Sequence, residues 1–175
     1  MKKKLLCLAC GLQLLAPQIA QAVSAPVAVG DAPACAQPAT SKHSADYIKT
    51  RLQLIYTLVF NSIETGRTSI SEYFFSDELR AIYRAAEEVT PEGEVGYYDF
   101  DPWLRAQDYC DPQAVVESVH DIGMNAAVAD VIVYPKGRDK AGVSVRVSLR
   151  YERGDWFIAN FDDDLDGLKS YINSH

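Results

Sequence analysis

Two hydrophobic rhythms divide this chain. Between residues 45 and 90 apolar side chains recur every three or four positions; after Pro112 they recur every two. A first helix is predicted to start after Ser44. Ile48, Leu52, Ile55 and Val59 fall on one of its faces. Leu54, Leu58 and Phe60 widen that stripe, which predicts burial on two sides. The helix should end between Asn61 and Gly66, where glycine can supply a left-handed cap. After a short aromatic segment, Ser76-Asp77-Glu78 reads as a second helix start, a capping hydroxyl followed by acids at the positive end of the dipole. Leu79, Ile82, Tyr83 and Ala86 make its apolar face, and Thr90-Pro91 stops it. Strands are predicted over residues 114–122, 126–134, 143–151 and 156–161. The third is the clearest: Val143, Val145, Val147, Leu149 and Tyr151 face one way, and Ser144, Arg146, Ser148, Arg150 and Glu152 face the other. Arg153-Gly154 is a tight turn, and residues 165–173 form a short C-terminal helix. Helices first and a strand meander last predict a segregated α+β fold, with one sheet face under the first helix and the other in water.

The first 22 residues break both rhythms. Lys2, Lys3 and Lys4 precede an apolar run over residues 5–15, interrupted only by Gly11 and Gln13; Pro17 and Ala20-Gln21-Ala22 follow. A positive end, a short apolar middle and a small-x-small site make a secretory signal peptide, cleaved near Ala22. The run is short of the roughly 20 residues that span a bilayer, so no transmembrane segment is expected in the mature chain. The expected destination is the periplasm. Leu8-Ala9-Cys10 is a poor lipidation site, because it leaves too short an apolar core, and Cys35 lies too far from the start; a lipoprotein is not expected. Residues 23–43, rich in Ala, Pro and Ser, read as a flexible linker, and residues 44–175 as a single α+β domain.

The whole chain carries a net charge of −7. The leader removes three lysines and no acid, so the mature protein is more acidic still. That argues against nucleic acid and anionic lipid as partners, because both need clustered Lys or Arg. Cys7 and Cys10 leave with the leader. Cys35 and Cys110 remain and suggest one disulfide in an oxidising compartment. Such a bond would contribute about 4 kcal/mol on the chain-entropy model. The alternative is two unpaired cysteines packed in a core.

Residues 92–111 follow neither rhythm. They contain Glu94-Val95-Gly96-Tyr97-Tyr98-Asp99-Phe100-Asp101-Pro102-Trp103 and then Ala106-Gln107-Asp108. Asp101-Pro102 reads as an N-cap and first helical residue, predicting a turn or two of helix to Asp108. This segment, with Arg153-Gly154-Asp155-Trp156-Phe157-Ile158-Ala159-Asn160-Phe161 and Gly167-Leu168-Lys169, resembles the exported bacterial family called domain of unknown function 3828, over about residues 45–173. That family resembles the nuclear transport factor 2-like, cystatin-like superfamily. The resemblance implies N-terminal helices in the concavity of a curved antiparallel sheet of about four strands. It brings no reaction with it.

Candidate chemistry is sparse. Asp99 and Asp101 could divide acid and base roles if one were buried, but a capping Asp101 and a loop-bonding Asp99 explain the pair as well. Tyr97, Tyr98 and Trp103 could rim a ligand cleft, with Asp99, Asp101, Gln107 and Asp108 as its polar members; large aromatics also fill cores. Asp162, Asp164, Asp166 and Gly167 open like a calcium loop, but Asn173 stands where a bidentate Glu belongs. No metal is expected. His43, His120 and His175 have no paired ligand spacing, and no serine sits in a nucleophile elbow. Arg146 and Arg150 could make an anion-binding strip or simply the wet side of a sheet. No cofactor motif is present. The leading expectation is a non-enzymatic module that binds an envelope protein or a small ligand, for instance an immunity or inhibitor protein. The alternatives are a small hydrolase or isomerase using Asp99, Asp101 or Asp108, and a structural envelope protein.

Overall fold

The computed structural model describes residues 41–66, 70–162 and 164–175. The signal peptide, Cys35 and all of the linker before Ser41 lie outside the described residues. The linker's last residues are held: Lys42 Nζ donates to Gly154 O at 2.7 Å, and Trp156 Nε1 donates to Lys42 O at 2.6 Å. His43 packs on the rings of Tyr151 and Trp156.

The first helix, α1 (Ala45–Glu64), begins where Ser44 Oγ accepts from Tyr47 N at 3.2 Å. It buries Ile48, Leu52, Ile55, Tyr56, Val59 and Phe60. Leu54 and Leu58 are 49% and 38% exposed, so the two-sided burial expected from the wide stripe is not found. The helix packs on one layer only, and its far side faces water. A 3₁₀ turn (Ser71–Phe74) leads to α2 (Asp77–Val89), capped by Ser76 Oγ on Leu79 N.

Four strands follow: β1 (Gln113–His120), β2 (Ala126–Tyr134), β3 (Val143–Glu152) and β4 (Asp155–Phe161). They form one antiparallel meander in chain order. The turn between β3 and β4 places Arg153 and Gly154 both at positive φ, 51° and 78°, the twist that suits a two-residue hairpin. Register shifts after Val116 and after Ser148 help curl the sheet without closing it. The molecule is therefore α+β, with helices laid against a curled antiparallel sheet and a short C-terminal helix, α3 (Leu165–Ser174).

Alternation sorts the sheet as expected. Val116, Ala127, Ala129, Val131, Val133, Val145, Val147 and Leu149 turn inward, each no more than 3% exposed. Both sheet edges are covered, which removes sites for unwanted strand pairing. On the β1 edge, Gln53 of α1 acts as a substitute strand: its Nε2 donates to Ala114 O at 2.9 Å and its Oε1 accepts from Val116 N at 3.2 Å. On the β4 edge, Ser76 N donates to Ile158 O at 2.7 Å beside the Phe75–Ile158 bridge. The floor of the concavity is an aromatic stack. Phe75 lies parallel to Trp103 at 5.6 Å, and Tyr56 and Phe161 meet Trp103 edge-on at 5.4 and 5.3 Å.

Candidate functional site

Residues 97–108 contain all seven side chains proposed from sequence, and the fold distributes them over three environments. Trp103 belongs to the core, 2% exposed, and does not form a rim. Its indole N–H and the Tyr56 hydroxyl are both buried without a hydrogen-bond partner. Asp99, Gln107 and Asp108 lie on the surface, with Gln107 Nε2 donating to Asp99 O at 2.8 Å. Tyr97, Tyr98 and Asp101 are half-buried.

Asp101 does cap, but it caps a turn and not a helix. Its Oδ1 accepts from Trp103 N at 2.8 Å and from Leu104 N at 3.1 Å. Arg105 N returns to Asp101 O at 2.7 Å, and Asp101 pairs with Ala106 as an isolated bridge. Arg105 sits at φ 55°, a left-handed conformation that ends any helix there. That conformation is held by an ion pair to Asp162 at 2.7 Å and by the Phe100 ring, 4.7 Å from the guanidinium. Burial pushes the Asp101 carboxyl above its ordinary pKa, opposed by the two backbone donors. Asp99 and Asp108 offer it no buried partner, because both are exposed.

The tyrosines gather around a cleft that the sequence pattern does not reveal. Tyr83 comes from α2, Tyr97 and Tyr98 from the loop, and Leu168 from α3; together with Glu87, Thr90, Phe100 and neighbours they line a space of about 240 Å³. Tyr97 and Tyr98 meet nearly perpendicular at 4.8 Å, Tyr98 and Phe100 are tilted at 5.5 Å, and Tyr83 stacks on Tyr98 at 6.0 Å. Tyr97 donates to Asp164 Oδ1 at 2.7 Å. Gly167 is required beside that bond, because a Cβ there would strike the Tyr97 hydroxyl and Asp164 Oδ1. The Tyr83 hydroxyl is buried and makes no hydrogen bond. Desolvation raises the pKa of Tyr83 and Tyr98 well above that of free phenol; the Asp164 carboxylate adds to both shifts, Tyr98 adds to that of Tyr83, and the Tyr83 hydroxyl works against that of Tyr98. Both are neutral hydrogen-bond donors across the physiological range.

Tyr83 was legible only as an apolar position of α2 and Thr90 only as part of its stop, and Glu87 carried no signal. The Asp162 to Gly167 run is spent on structure: Asp162 holds Arg105 and accepts from Arg146 N at 2.8 Å, Asp164 holds Tyr97, and Asp166 is exposed. Among the described residues no group of three or more His, Cys, Asp or Glu is placed to hold a metal.

A second polar cluster decorates the outer sheet face. Asp130 Oδ2 accepts from Ser118 Oγ at 2.7 Å and faces His120 Nε2 at 3.1 Å. The carboxylate stands between serine and histidine, so the serine proton points at Asp130 and not at the imidazole that would have to remove it. This order does not make a nucleophile. Arg146 lies beside the carboxylates of Asp130 and Asp162, and Arg150 pairs with Glu78 at 3.3 Å. Acids thus accompany the two arginines along the strip considered for anions. Cys110 is an exposed free thiol among the described residues. No helix among them is long and apolar enough to cross a membrane. No protein-family model, curated protein or solved structure matches the chain.

Proposed function

We propose that this chain is an exported, non-enzymatic binding module of the cell envelope, and that the cleft between α2, the 96–102 loop and α3 is its ligand site. One observation carries the reading: three separate segments converge on an open cleft, α2 and the loop bringing aromatic rings and α3 bringing Leu168, with a buried tyrosine hydroxyl left unpaired in its wall. Ligand sites combine apolar and aromatic walls with a few polar groups in this way. At about 240 Å³ the cleft lies below the range typical of drug-sized ligands, so a small molecule or a single protruding side chain of a partner protein suits it. The second form is the one an immunity or inhibitor protein would use.

The competing hydrolase or isomerase needs two carboxylates converging on one reacting atom. Asp101 is committed to the turn, and Asp99 and Asp108 face solvent. The family resemblance is compatible with either reading, because it carries no reaction. Export rests on the leader sequence.

The test is a ligand screen on the mature protein by aromatic ¹H–¹³C NMR, with envelope metabolites and envelope extract as the two sources. Binding should move the Tyr83, Tyr97 and Tyr98 ring signals together and leave Tyr47 and Tyr134 still. Substrate turnover by purified protein, abolished by Asp99→Asn or Asp108→Asn with the fold intact, would overturn the proposal.

A further inference from the structure

Resting on that reading of the cleft, we infer that its occupant is an organic cation: a quaternary or methylated ammonium group, free or on a partner's side chain. Three features of the walls lead there.

The first is the way the rings are set. Tyr97 and Tyr98 stand at 73° to one another, Phe100 is inclined at 54° to Tyr98, and Tyr83 is inclined at 29° to Tyr98. Rings turned in several directions present faces and edges around one volume, as a cage does, where a flat ligand would call for parallel walls. Aromatic faces carry the negative part of the ring quadrupole and attract cations, and methylated ammonium groups are recognised by such cages. Phe100 already does this within the chain, holding Arg105 at 4.7 Å.

The second is charge. Glu87 is the charged side chain of the wall, and no lysine or arginine lines it. Asp164 anchors Tyr97 from behind, and Asp101 and Asp164 both act electrostatically on Tyr83. Arg105, the nearby cation, is matched by Asp162. The cleft therefore offers a cation a negative surround, and offers an anion only repulsion.

The third is the state of the hydroxyls. Tyr97 and Thr90 are already spoken for, by Asp164 and Tyr171. The Tyr83 and Tyr98 hydroxyls are then the donors left in the wall, too few to satisfy a sugar. A methylated ammonium asks for none, since its charge is spread over methyl groups that pack against rings.

Choline chloride and its neutral carbon isostere 3,3-dimethyl-1-butanol have almost the same shape and differ in charge. Titrated into the full exported chain and followed by aromatic ¹H–¹³C NMR, choline should shift the Tyr83, Tyr97 and Tyr98 rings and bind about tenfold more tightly than the isostere. Glu87 lies on the exposed side of α2, so Glu87→Gln should keep the fold and weaken choline while leaving the isostere unchanged. Tyr98→Leu should abolish both. Equal binding of the two probes, or indifference of choline to Glu87→Gln, would refute the cation and leave the cleft as a ligand site. If neither probe nor any compound of the broader screen moves those rings, the cleft reading falls as well.

Discussion

Asp101 is the residue at which a structural role and a catalytic one make opposite forecasts. Replacing it with alanine removes the acceptor for Trp103 N and Leu104 N, at 2.8 and 3.1 Å. Those donors belong to two of the most buried residues of the core, 2% and 1% exposed, so water replaces the lost acceptor poorly. Loss of a capping side chain costs about 0.5–2 kcal/mol, and loss of a hydrogen bond to a charged acceptor about 1.5–3. The two ranges describe one group here and overlap near 2 kcal/mol. For a domain of this size that is a fall in Tm of about 4–8 °C. Asparagine keeps an oxygen in the same place and caps nearly as well as aspartate, so Asp101→Asn should lose less than about 0.5 kcal/mol at pH 7. The assay is urea unfolding followed by tryptophan fluorescence, with Trp103 inside the transition.

The pH dependence adds a sign. The folded-state pKa of Asp101 is raised by burial above its ordinary 3.8. The proton-linked part of its contribution to stability is fully present below 3.8 and is lost as pH rises through the raised folded value, while the cap itself remains. Wild type should therefore gain on Asp101→Asn as pH is lowered through that window. Equal, large losses for Ala and Asn, or no change in their difference from wild type with pH, would refute the account of Asp101 as a buried turn cap.

Further outcomes are expected elsewhere. Gly167→Ala and Tyr97→Phe should each cost about 1–2 kcal/mol, and the pair should cost scarcely more than either alone, because both break the Tyr97–Asp164 bond; additive losses would refute the steric link. Gln53→Ala should lower stability by about 2 kcal/mol and strip hydrogen-exchange protection from β1 before the other strands; uniform loss across the sheet would refute its role on that edge. His120 should titrate by NMR above 6.5, held up first by its hydrogen bond to Asp121 and then by Asp130, so its small contribution is present below 6.5 and fades as pH rises through the raised value; Asp121→Asn should bring the midpoint down, and an unmoved midpoint refutes the pairing. The Cys35–Cys110 disulfide expected of an exported chain should make native material two hydrogens lighter than the dithiol by mass spectrometry; two free thiols would remove the bridge.

Elements with a strong period were legible from residues alone. β3 announces itself by Val145, Val147 and Leu149 alternating with Arg146 and Ser148, and Ser44 and Ser76 mark helix starts because their hydroxyls act on amides three residues away. Such signals are local: neighbours within one turn or one pleat decide them. Asp101 was legible as a capping side chain for the same reason, yet the helix expected after it does not form, since Arg105 is held left-handed by Asp162 and Phe100. Leu54 and Leu58 had the right period for burial and lack a second layer to cover them. Tyr97 and Tyr98 were legible as candidate rim residues, but the rest of the cleft was not, because Tyr83 and Leu168 share no repeat with them and meet the loop only when α2 and α3 close on it. Periodicity tells a side chain which way to face. What stands opposite it is settled by packing between segments tens of residues apart, and the candidate site of this protein is closed by such meetings.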